Sequence, residues 1–157
     1  MDSPEVRDLP EVRTNPRDIA IEEKVSLLKS IEEHAKLEGV HSTKVMYLES
    51  EFKVDYRNSE GLECEYELLN VGFAVSAVAS ENGVYQAGRE SRFGYGYELF
   101  ENENVLELAG KAGKTALELL KAKTPKGGEM PVVLDQELAG VFAHEAVGAC
   151  FRSRPCA

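Results

Sequence analysis

The sequence predicts an α+β fold: an N-terminal helix, an antiparallel meander of about four strands, a helix, a short strand, and a last helix that carries the chemistry. Three observations predict it. Apolar residues recur at helical spacing in two stretches, roughly 19–37 and 105–120. Between those stretches the period changes to two. Near the end, a short β-branched apolar run leads through an aspartate into a proline-free stretch of small and apolar residues.

Residues 1–14 are charged and proline-containing, with no period, and read as a flexible N-terminal arm. Asn15-Pro16 and Asp18 are start signals for the first helix. Ile21, Val25, Leu28, Ile31 and Ala35 form its apolar stripe. Gly39 is placed to close it as a left-handed cap. Glu22, Glu23, Glu32 and Glu33 fall mainly off the stripe and read as a solvated face.

From Thr43, alternation sets in. Val45, Tyr47 and Glu49 alternate with Met46 and Leu48, and then Phe52, Val54 and Tyr56 with Lys53 and Asp55. Asn58-Ser59-Glu60-Gly61 is a turn. Leu62 to Ser80 is long for one strand, so a bulge or bend is expected near Asn70 or Gly72. Asn82-Gly83 is a strong hairpin signal. Val84 to Tyr97 completes the meander. Its Phe93-Gly94-Tyr95-Gly96-Tyr97 run reads as edge-strand and core packing, with a peptide-binding lip as the chemical alternative. Arg89 and Arg92 read as solvated.

Asn104 caps the next helix, with Val105, Ala109, Ala112, Ala116 and Leu119 as its stripe. Residues 124–128 are a connector. Pro131-Val132-Val133-Leu134 reads as a buried strand, and Asp135 as the N-cap of a helix over 136–148 expected to be buried nearly all round. His144 and Glu145 sit inside that apolar helix, and two ionisable groups there need a reason.

One reason is packing: a satisfied core histidine beside a glutamate at the edge of its face. The other is a metallopeptidase helix, where a neutral imidazole binds zinc and a neighbouring glutamate acts on bound water. The four-residue spacing H-E-x-x-H is absent, because i+4 from His144 is Gly148. A five-residue spacing puts two side chains about 140° apart on an ideal helix. Two ligands so spaced need the helix to unwind or bulge between them, and Gly148 is the residue that permits this.

The string VVLDQELAGVFAHEAVG resembles the motif helix of the TldD/PmbA family, also called modulators of DNA gyrase. TldD-type members carry H-E-x-x-x-H in a setting of the form VVLDxELAGVFxHEAxGH, and this chain matches through Gly148. An N-S-x-G turn, found here at 58–61, also recurs in the family. The resemblance covers most of Ile19 to Gly148. It implies a zinc metallopeptidase that cuts peptides or unfolded proteins, works as a dimer with a related TldD/PmbA-type subunit, and uses His144 as metal ligand and Glu145 as general base. The family's second histidine falls at residue 149, which here is Ala149. One imidazole does not hold catalytic zinc, so this chain alone is expected to be inactive. A non-catalytic PmbA-like partner subunit or a peptide-binding module is the alternative.

Residues 150–157, CFRSRPCA, have no period and no match to the family, and read as an aberrant tail from truncation or a frame shift. The 15–149 stretch is then a TldD-like N-terminal domain ending in the His-Glu helix. Cys150 lies on a different helix face from His144 and is a poor substitute ligand. Cys64, Cys150 and Cys156 are odd in number, with no metal-knuckle spacing, and point to a reducing cytoplasm. The net charge of −10 argues against a nucleic-acid partner and against an anionic membrane surface. No apolar run approaches a membrane span.

Overall fold

The structure, a computed structural model, describes residues 12–102 and 104–148. The chain divides into two units, Met1–Ala122 and Lys123–Ala157. The first unit is a two-layer α+β structure. Asn15 accepts a hydrogen bond from the Arg17 N–H and opens a 3-10 turn, Pro16–Asp18. Helix α1 (Ile21–Ala35), strands β1 (Val40–Arg57), β2 (Glu63–Glu81) and β3 (Val84–Tyr95), the short helix α2 (Leu99–Asn102) and helix α3 (Val105–Leu120) follow. The sheet is an antiparallel meander in the order β1-β2-β3.

Among the described residues the meander has three strands rather than about four. The polar Glu49-Ser50-Glu51 stretch does not break β1, because pairing with β2 runs without a shift from Ser42 to Arg57. The two glutamates lie on the helix side of the sheet, where Lys24 and Arg17 meet them. The expected irregularity in β2 near Asn70 or Gly72 is also absent; the one register shift lies between Val40 and Ser42. Gly72 is required for another reason: a Cβ there would run into the Phe93 ring and the Arg92 carbonyl on the adjacent strand. The Asn82-Gly83 signal is borne out, with both residues at positive φ in the turn that joins β2 to β3. At the other hairpin, Asn58 accepts hydrogen bonds from the Glu60 and Leu62 N–H groups, and Gly61 takes the left-handed position.

Both helices pack on one face of the sheet. Ile31 and Ala35 of α1, Val105, Ala109 and Ala112 of α3, and Phe73 and Val75 of β2 form one buried cluster. Ala77, Ala79 and Ala116 extend it. The small residues of α3 bring its backbone close. A Cβ at Gly88 would collide with the Ala112 carbonyl, and one at Gly113 would come 2.6 Å from the Ala35 carbonyl. The α3 stripe is as expected except for Leu119, which is exposed. On α1 the stripe is rotated. Ile21 and Val25 are exposed, while Lys24, Ile31 and Ala35 are buried. Lys24 takes the inward position because Glu49, 2.7 Å from its Nζ, meets the charge and its stem can lie along apolar surface.

Helix α1 ends at Ala35, so Gly39, at φ +92°, shapes the turn into β1 rather than the helix cap itself. At the N-terminal side, Glu98 is buried and accepts hydrogen bonds from the Arg13 and Thr14 N–H groups, 3.0 Å each. The Tyr97 N–H donates to the Thr14 carbonyl. Residues 1–11 of the expected arm lie outside the described residues.

In the second unit, Pro131 to Leu134 is not a strand. Val132 and Val133 are exposed. A strand needs a neighbour to complete its backbone hydrogen bonds, and no described residue of this unit offers one.

Candidate functional site

The site is built on the second unit. Asp135 caps helix α4 (Gln136–Ala143), its Oδ1 accepting from the Leu138 N–H at 2.8 Å. Its backbone carbonyl accepts from the Ala139 N–H at 2.9 Å. The cap fixes where α4 starts and so fixes the phase of the residues that follow. At His144 the winding changes. His144–Gly148 is a π-helical turn that continues α4 directly.

A change of winding here is what the resemblance's five-residue ligand spacing would call for. A π turn closes hydrogen bonds from i to i+5 and tends to occur at functional sites. It turns residues five apart toward a common face, where an α-helix would splay them. It begins at His144, the first residue of the motif, and includes Glu145. Gly148 closes it, and its place there is not owed to a left-handed backbone: the glycines at positive φ are Gly39, Gly61, Gly83, Gly96 and Gly128. A Cβ on Gly148 would lie 3.7 Å from His144 Nδ1, an ordinary contact. The glycine therefore sits beside the imidazole nitrogen.

None of the α4 side chains is buried, nor are those of the π turn. Leu138, Val141, Phe142 and Val147 are all more than half exposed. The expectation of an all-round buried helix is thus not met by these residues. His144 and Glu145 are exposed as well.

Among the described residues the donor set does not complete a zinc site: no three His, Cys, Asp or Glu side chains gather where a metal ion could bind. His34 and His41 belong to the first unit, where His34 Nδ1 lies 2.8 Å from the Ser30 carbonyl and His41 packs edge-on to Tyr85. Ala149, Cys150, Cys156 and the rest of 150–157 lie outside the described residues.

A second constellation escaped the sequence reading. Lys24 Nζ lies 2.7 Å from Glu49 Oε2 and 5.4 Å from the centre of the Tyr47 ring, and Tyr47 donates to the same carboxylate at 2.8 Å. Arg17 pairs with Glu51. Burial would raise the Glu49 pKa, but the bonds from Lys24 and Tyr47 and the nearby positive charges outweigh it and hold the carboxyl below its usual range. Tyr47 is pushed well above the usual phenol range, first by burial and then by Glu49. The network ties α1 and the 3-10 turn to β1. Its only sequence signal was a lysine one position off the apolar stripe.

A family model described as the PmbA/TldA metallopeptidase central domain matches residues 14–120. A metalloprotease of Archaeoglobus fulgidus is 41% identical over 138 residues, covering 87% of this chain and 32% of the relative. One of Methanothermobacter thermautotrophicus is 39% identical over 134 residues, covering 85% and 30%.

The chain belongs to the PmbA/TldD family.

A zinc metalloprotease TldD homolog of Saccharolobus solfataricus is 31% identical over 113 residues, 70% of this chain and 25% of that protein. The fold agrees with the crystal structure of a putative modulator of a DNA gyrase from Thermotoga maritima. It has a TM-score of 0.68 at 23% identity, over 80% of this chain and 29% of that one. This PmbA/TldD chain spans 25–32% of the length of the curated relatives it matches. No described helix is long and apolar enough to cross a membrane.

Proposed function

We propose that this chain carries the motif helix of a TldD-type zinc metallopeptidase acting on peptides or unfolded proteins in the cytoplasm, paired with a related TldD/PmbA-type subunit. His144 is the metal-ligand position and Glu145 the general-base position. The observation that carries this reading is the π turn starting at His144. A packing histidine has no need of it, whereas a five-residue ligand spacing does. The names of the relatives support the same activity class.

The chain by itself is proposed to be inactive. The described residues supply one imidazole and one carboxylate at the motif, and residue 149 is alanine. Catalytic zinc needs three protein ligands. That same deficit favours a second reading, in which the chain is a non-catalytic PmbA-like partner or a peptide-binding module. Metal binding and peptide cleavage measured on the same preparation test the two. The first reading expects neither in this chain and both in a relative with histidine at 149. Cleavage by this chain at a relative's rate contradicts it. Stable peptide binding without cleavage favours the second.

A further inference from the structure

The chain reaches its first helix by crossing the sheet where β3 ends. Residues 13–17 form this strap, and it is fixed at both ends. One end lies at the corner after β3. There the Glu98 carboxylate accepts from the Arg13 and Thr14 N–H groups, and the Tyr97 N–H donates to the Thr14 carbonyl at 2.8 Å. All three bonds go to main-chain groups of the strap. Their base is firm, because Tyr97 is buried and its ring lies 5.0 Å from that of Phe100, which also meets Tyr47 and Phe73. Gly96 belongs to the same corner. Its φ is +72°, and a Cβ on it would run into the Glu98 carboxylate.

The other end lies two strands away, on β1. Arg17 pairs with Glu51, and Pro16 is fully buried. Both line a small cavity with Glu51 and Leu69, which stand opposite each other on β1 and β2. That pair has a particular place. β3 stops at Tyr95, opposite Asn70 of β2. From Glu51 and Leu69 outward, β1 and β2 run on as a two-stranded ribbon, 51–57 paired with 63–69. The strap therefore lies on the first rung of the ribbon. Lys24 holds Glu49 one step earlier, where the sheet still has three strands. Beyond the first rung the ribbon is weakly held. A two-stranded hairpin alone is marginally stable in water. Asp55 stands directly opposite Glu65, and like charges so placed destabilise the pairing. Arg57 meets both carboxylates, but its side chain is largely exposed, where ion pairs contribute little.

We propose that the strap is a clasp: it pins the root of the ribbon to the body of the first unit, and its release frees the ribbon to move as a separate element. With the clasp closed, the bonds at Tyr97 and Glu98 hold residues 13 and 14, and Pro16 and Arg17 are thereby kept on Glu51 and Leu69. With it open, Arg17 leaves Glu51, and the ribbon keeps only its own ladder. Segments held by few buried contacts are the ones that open locally while a core stays folded. The coupling is reciprocal. A ligand that grips the ribbon tightens the strap, and a pull on the chain ahead of Arg13 loosens the ribbon. This inference concerns the first unit alone and does not rest on the peptidase reading.

Hydrogen exchange on the full chain, read segment by segment, tests the clasp. In the parent, amides of 51–57 and 63–69 should be protected. Glu98→Ala removes the acceptor of both strap N–H groups. Exchange over 13–18 and over the ribbon should then rise together by about tenfold or more, with 71–79 of β2 unchanged. Gly96→Ala displaces the same carboxylate and should reproduce the pattern. Arg17→Ala cuts the far anchor and should loosen the ribbon as well. An unprotected ribbon in the parent overturns the proposal. So does a Glu98→Ala chain whose strap exchanges faster while its ribbon does not. A chain in which 71–79 speeds up as much as the ribbon also overturns it, because the loss is then general. If both corner variants fail to fold, Arg17→Ala decides by the response of the ribbon against 71–79, since the Arg17 side chain is 60% exposed and takes no part in the core.

Discussion

Replacing Gly88 by alanine should destabilise the first unit by about 1–2 kcal/mol. Gly88 is buried on β3 beneath α3. A Cβ built there lies 2.8 Å from the Ala116 backbone N, 3.0 Å from the Ala112 carbonyl carbon and closer still to the Ala112 oxygen. These are helix backbone atoms, so no side-chain rotation relieves the overlap; α3 itself must move. Overpacking of this kind costs roughly 1–3 kcal/mol. Glycine-to-alanine exchange returns about 0.4–1 kcal/mol by narrowing the unfolded ensemble. The overlap wins, and the net loss corresponds to a Tm drop of about 4–8 °C, at roughly 4 °C per kcal/mol for a unit of this size. Urea unfolding and thermal melts followed by circular dichroism measure it. Gly140→Ala is the control, since a Cβ there meets nothing within 4 Å, and it should be neutral or slightly stabilising. Equal stability of Gly88→Ala and the parent would refute the close helix-on-sheet packing.

Other expectations follow from the charged groups. Glu98 is held below the usual carboxylate range: burial pushes it up, but the N–H groups of Arg13, its own residue and Thr14 pull it further down. Its contribution to stability is therefore present above the ordinary carboxylate value of 4.5 and is lost as pH falls below it. Glu98→Gln should flatten that acid limb of the stability curve and free residues 12–14 to faster hydrogen exchange. Lys24→Ala should destabilise by about 1–3 kcal/mol, through the lost charged hydrogen bond and the lost packing of its stem. Lys24→Met should cost less in the same melt. In an intact relative with histidine at the position of Ala149, Glu145→Gln should abolish peptide cleavage and keep the metal, while His144→Ala should lose both. Parent-rate cleavage by the glutamine variant would leave the helix merely structural.

Much of this was legible in the sequence because it is local. Asn82-Gly83 fixed a turn through its own backbone preference, and Asp135 and Asn104 cap the helices they were expected to cap, bonding Leu138 and Glu107. The sequence led to an expected unwinding or bulge at the motif, and the winding there is a π turn over His144–Gly148. What stayed hidden depends on partners far along the chain. Nothing in the sequence explained two glutamates on the helix side of β1, because Lys24 and Arg17, which meet them, lie on other elements. Glu98 gave no sign of binding Arg13, 85 residues away. Residues 131–134 have strand composition, but composition does not supply a neighbouring strand. Lys24 took a core position from the apolar stripe because only the folded sheet brings it an anion.

The central claim is that the turn at His144 is one half of a metal site that Ala149 leaves incomplete. Zinc titration against a competing chelator tests it directly, on the chain as it stands, on Ala149→His, and on Ala149→His with His144→Ala. The account predicts weak binding by the parent chain, binding tighter by about tenfold or more (1.4 kcal/mol) once the second imidazole is supplied, and loss of that gain when His144 is removed. Stoichiometric tight zinc on the parent chain, or no gain from Ala149→His, would contradict it.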